Sequence, residues 1–173
     1  MTDAAPHSPR GAFALVLHAH LPYVLAHGTW PHGSDMLFEC AAESYLPLLQ
    51  TFARLVSEGV SPKVTLGITP VLAEQLADPD FKQQFSDYLE MRLRTAAENR
   101  QEFEQHHQPH LARLAGIWQQ RFRAVRQAFL DHFAGDLRAA FRRLQDDGHI
   151  EIITSAATHG YLPLLGTDEA VQA

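Results

Sequence analysis

Phe13-Ala-Leu-Val-Leu-His-Ala-His-Leu-Pro22 is the stretch on which the reading of this chain turns. Its first half is apolar, without helical periodicity and too short for an amphipathic helix. That predicts a strand over residues 12–17, buried on both faces. The run ends at His18 and His20. Residues two apart on an extended backbone project to one face, so the two imidazoles stand side by side while Ala19 points away. Pro22 stops the strand. Parallel α/β sheets and barrels put their ligands at the carboxyl ends of the strands, so this lip is expected to floor a site.

Beyond the lip, residues 23–35 form a loop with His27, Gly28, Trp30, Pro31, His32 and Gly33, in which Trp30 could wall the site or pack the loop down. Ser34 or Asp35 is the expected N-cap of a helix whose apolar stripe runs through Leu37, Phe38, Ala41, Tyr45, Leu48, Leu49, Phe52 and Leu55. Glu58-Gly59 stops it. Residues 63–68 read as a second strand, in which Gly67 points to a close approach, and a helical turn follows Pro70. Residues 79–147 are helical in pattern, with stripes at Phe81, Phe85, Tyr88 and Leu89 and then at Trp118, Phe122, Val125, Phe129 and Leu137. Pro109 divides them into an antiparallel pair. Residues 149–154 are the third strand, followed by a loop carrying His159, and Thr167 is the expected N-cap of a last helix. Strand, helix, strand, long helical excursion, strand is an α/β pattern: a parallel sheet with helical crossovers, too few in strands to close a barrel.

Bulk properties bound the function. A chain of 173 residues, 46% hydrophobic and 20% charged, suits one globular domain, here residues 12–173 behind a disordered leader at 1–11. The net charge of −6 argues against nucleic acid as a partner, since phosphate contacts need a clustered positive field. No apolar run is long enough to span a membrane, so no membrane partner is expected. The single Cys40 excludes an internal disulfide, and the chain opens with no apolar signal segment. A cytoplasmic location is therefore expected.

Histidines two apart at a strand end admit a second reading, a metal-dependent hydrolase whose ion activates water. It needs further ligands, and His159 is the one obvious candidate, since Glu151 lies inside a strand. His106-His-Gln-Pro-His110 reads as a solvated helix end, and the arginines from Arg121 to Arg143 as a solvated face beside a core face. No phosphate loop, nucleophile elbow or paired-cysteine motif is present, and no cofactor or resident metal is called for. Retaining glycoside chemistry needs two carboxyl groups about 5 Å apart. No acid here holds a convincing strand-end position for it.

Four stretches, in order, resemble glycoside hydrolase family 57: residues 13–23, Glu43-Ser-Tyr-Leu-Pro-Leu-Leu49, residues 65–78, and Ile150-Glu-Ile-Ile-Thr-Ser-Ala-Ala-Thr-His-Gly-Tyr-Leu-Pro-Leu-Leu-Gly166. Within it they most resemble the branch of 1,4-α-glucan branching enzymes. The resemblance implies the amino-terminal part of an incomplete (β/α)7 barrel with a long helical insertion. It also implies retaining transglycosylation of α-glucan, with amylase or 4-α-glucanotransferase as alternatives within the family. On this reading His18, His20, Trp30 and His159 bind substrate. The family's nucleophilic glutamate and acid-base aspartate belong to later motifs that no position here matches. No catalytic residue is assigned, and the partner expected besides α-glucan is the missing carboxy-terminal part of the same enzyme, without which the chain is expected to be inactive.

Overall fold

The computed structural model describes residues 11–172. The leader expected over 1–11 therefore lies, apart from Gly11, outside the described residues. Three strands, β1 (Val16–Ala19), β2 (Val64–Ile68) and β3 (Ile150–Ile153), form one parallel sheet in the order β1-β2-β3. Parallel neighbours cannot be joined by a hairpin, and helices make both crossovers. The first is a continuous helix, 34–57, made of α1 (Ser34–Cys40), a π-helical turn (Ala41–Tyr45) and α2 (Leu46–Ser57). The second runs through α3 (Pro70–Ala77), α4 (Pro79–Gln105), α5 (Pro109–Gln127), a π turn (Ala128–His132) and α6 (Leu137–Asp146). After β3 come a short 3-10 turn (Leu162–Leu164) and α7 (Asp168–Gln172), whose Ala170 amide donates to Thr167 Oγ1 at 3.2 Å as expected of a cap.

Two expectations for the first strand are corrected. The strand starts later and runs two residues further than 12–17, because ladder pairing follows the partner: β2 pairs with Val16 through Ala19. Nor is it buried on both faces. Val64, Leu66 and Ile150 are buried on the face that meets the helices, with Leu17 and Ile152 half-buried beside them. The other face carries Val16, His18, Thr65, Gly67, Glu151 and Ile153, and Val16 is 45% exposed. An apolar run shows that side chains are oily, not that both sides are covered.

The N-cap of α1 is Gly33, one residue before Ser34, and no side chain caps the helix. The Ser34 amide donates to the Gly28 carbonyl at 2.9 Å and the Asp35 amide to that of Thr29 at 3.1 Å. Backbone carbonyls thus satisfy the first orphan amides. A Cβ on residue 33 would collide with the Gly28 carbonyl, so this close approach demands glycine. Further along, Pro47 has no amide to donate and its ring would crowd the carbonyl four residues back. The widened π turn at Ala41–Tyr45 lies just before it and carries the helix through without a break.

α4 and α5 form the expected antiparallel hairpin. Arg126 pairs with Glu90 at 3.3 Å toward its base, while Phe103 and Leu111 line one cleft toward its tip. His106, His107 and His110 sit exposed at that tip. The core of the excursion is aromatic: Phe81, Phe85 and Phe129 are fully buried and Phe38 and Tyr88 nearly so. Phe85 stacks on Phe81 at 5.3 Å and meets Phe129 edge to face at 4.9 Å. Both geometries suit the ring quadrupole.

Candidate functional site

Alternation along β1 places His18 on the open face of the sheet, and His20, one residue past the strand, lines the same cavity. His18 stands opposite Gly67 of β2. A Cβ there would lie 3.1 Å from His18 Nδ1, so Gly67 is the space into which the imidazole fits. His20 follows the strand, with Nδ1 3.2 Å from Oγ1 of the buried Thr69. His159 arrives from the loop after β3 in a left-handed conformation, φ 64°. Its Nδ1 lies 3.0 Å from Ser155 Oγ, and its ring centroid is 4.4 Å from that of His20. The three histidines, with Gly67, Thr69 and Ser155, line a cavity of about 100 Å³ at the carboxyl ends of the strands.

The loop leaving the lip is pinned by Gln75 of α3, which is 1% exposed. Its Oε1 accepts from the Val24 amide at 2.7 Å, and its Nε2 donates to the Pro22 carbonyl at 3.0 Å. Trp30 stands apart from the cavity, 79% exposed on the loop before α1. Two larger clefts, of about 420 and 470 Å³, run along the α4–α5 hairpin and share no lining residue with the lip.

Glu151 lies inside β3, yet its place in the strand does not remove it from the open face. The register puts it opposite Thr65, on the same open face as His18, and Thr65 Oγ1 donates to its Oε2 at 2.8 Å. The legible signal was alternation: in Ile150-Glu-Ile-Ile153 the glutamate faces away from the two apolar neighbours that seat the strand. Among the described residues no group of three or more His, Cys, Asp or Glu side chains is arranged to hold a metal ion.

Partial desolvation, and after it the facing His159, hold the His20 pKa below the ordinary imidazole value of 6.5. The fold therefore favours neutral His20. Its contribution to stability is whole above 6.5 and is lost as the pH falls from there through the lowered folded value. In His159→Gln, the His20 midpoint followed by NMR should rise toward 6.5 without reaching it, because desolvation, the larger cause, remains. An unchanged midpoint would mean that the two rings are not coupled.

Imidazoles and hydroxyls gather at the carboxyl ends of the parallel strands, on a sheet face left open, which is where parallel α/β folds hold their ligands. Residues 14–173 match the profile of Glycosyl hydrolase family 57, and the chain belongs to that family. It is 42% identical over 164 residues to a 1,4-alpha-glucan branching enzyme of Thermococcus kodakarensis, covering 95% of this chain and 23% of that one. The crystal structure of a GH57-type branching enzyme from Pyrococcus horikoshii superposes with a TM-score of 0.86 at 44% identity, over 92% of this chain and 29% of that one. The α-amylase AmyC of Thermotoga maritima gives a TM-score of 0.79 at 30% identity, over 90% and 29%. The chain thus resembles branching enzymes over nearly its whole length while spanning about a quarter of theirs.

Proposed function

We propose that this chain is the amino-terminal part of a 1,4-α-glucan branching enzyme of glycogen-type synthesis in the cytoplasm, and that it does not branch glucan by itself. The higher identity to branching enzymes than to the amylase favours that specificity. His18, His20 and His159 form part of the sugar-binding floor, where imidazoles can donate to and accept from hydroxyls at neutral pH. Trp30, outside that cavity on the loop before α1, is a further stacking surface for sugar. The single, half-buried Cys40, free of any disulfide, suits a reducing compartment.

One observation carries the claim of inactivity: among the described residues, no carboxylate lines the lip cavity. Retaining transfer needs one carboxylate to attack the anomeric carbon and a second acid to protonate the leaving oxygen. Both come, on this reading, from the rest of the enzyme, which is also the chain's protein partner. The purified chain incubated with amylose should yield no new α-1,6 linkages, as read by chain-length analysis after debranching. New branch points made by the chain alone would overturn the proposal.

A further inference from the structure

Thr69 occupies the N-cap of α3, a position where a threonine oxygen ordinarily accepts from an amide of the first turn. Here it makes no such bond. The residue is 4% exposed, and its hydroxyl lies instead 3.2 Å from His20 Nδ1. A buried hydroxyl must place its proton, and among the described residues this ring nitrogen is the acceptor within reach. Thr69 therefore donates, His20 Nδ1 accepts, and the ring proton sits on Nε2.

Ser155 settles the other ring by the same count of protons. Its hydroxyl donates to the Ala156 carbonyl at 3.0 Å. Having one proton and having given it away, the hydroxyl can only accept from His159, whose Nδ1 lies 3.0 Å off. His159 thus carries its proton on Nδ1 and leaves Nε2 bare. The left-handed backbone of His159 is what brings the ring back over both Ser155 and His20.

We infer that Thr69 and Ser155 are positioning residues that hold the adjoining, mutually tilted rings of His20 and His159 in opposite tautomers, so that the lip presents one Nε2–H donor and one Nε2 acceptor. The partner of a ring's inner nitrogen decides what its outer nitrogen offers. A neighbouring pair of sugar hydroxyls, each able to donate and to accept, is then read in one sense only. The lowered His20 pKa agrees with a neutral ring there. The bearing on sugars rests on the proposed glucan floor; the tautomers do not.

The experiment is long-range proton–nitrogen NMR of the ¹⁵N-histidine-labelled chain above pH 7.5, where protonated and bare ring nitrogens resonate far apart. In the unsubstituted chain His159 should show Nδ1–H and a bare Nε2, and His20 the reverse. Ser155→Ala should return His159 to the Nε2–H form that predominates for free imidazole, while Ser155→Thr keeps Nδ1–H. Thr69→Val should leave Nε2–H as the majority form of His20 but admit a minor Nδ1–H population, which Thr69→Ser should not. Finding Nε2–H on His159 in the unsubstituted chain, or no change in Ser155→Ala, would overturn the inference. Maltoheptaose binding by calorimetry reads the other premise: Ser155→Ala should weaken it about fivefold, the worth of one hydrogen bond. If the unsubstituted chain binds no maltoheptaose yet shows the two tautomers, the positioning roles stand and the glucan reading falls.

Discussion

Phe85→Ala is expected to remove about 4 kcal/mol of stability, read as a lower urea midpoint at unchanged slope. Phe85 is wholly buried, stacked on Phe81, edge-on to Phe129 and within 6.1 Å of Tyr88 and 6.0 Å of Phe38. Truncation removes the transfer energy of a ring and leaves a void bounded by other rings too stiff to close it. The excursion that crosses between β2 and β3 is built on this cluster, so its loss is felt by the sheet. A change below about 1 kcal/mol would mean that the site collapses around the void and that the excursion does not depend on the cluster.

Gly67→Val is expected to cost little stability and nearly all binding of maltoheptaose, at least tenfold in Kd, which is about 1.4 kcal/mol. Valine suits a strand. The first carbon added at residue 67 already meets His18 Nδ1 at 3.1 Å, and the branched methyls reach further, so the imidazole must swing off the sheet. Gly67→Ala should give a smaller loss, since a displacement of a few tenths of an ångström relieves it. Full binding by Gly67→Val in a folded protein would show that the place of His18 does not matter to the sugar.

Much of this was legible in the sequence. The helices and the succession of strands and crossovers followed from periodicity, and the common cavity of His18 and His20 from the two-residue spacing. Gly67 in a strand announced a close approach, and the register names its neighbour as His18. What escaped had physical causes. The start of α1 was misplaced by a residue because the Gly28 and Thr29 carbonyls satisfy its amides, and carbonyls leave no mark in a sequence. Gln75, a polar residue on α3, turns inward because the Val24 amide and Pro22 carbonyl need a partner there, a demand that periodicity does not show. For Glu151 the informative coordinate is the face of the strand, not the distance from its end. Thr69 carries no signal in the sequence that pairs it with His20, and only the geometry shows its hydroxyl turned toward a histidine.

The exposed face and outer edge of β1 have a consequence for the chain's life in solution. β1 pairs with β2 on one side and with no other strand among the described residues, and Phe13 and Leu15 beside it are open to water. An uncharged, proline-free apolar segment at a sheet margin is the kind of template on which strands of other molecules add, one backbone amide at a time. Concentration is therefore a hazard for this polypeptide: the residues that lead into the histidine lip are also those most apt to nucleate its precipitation.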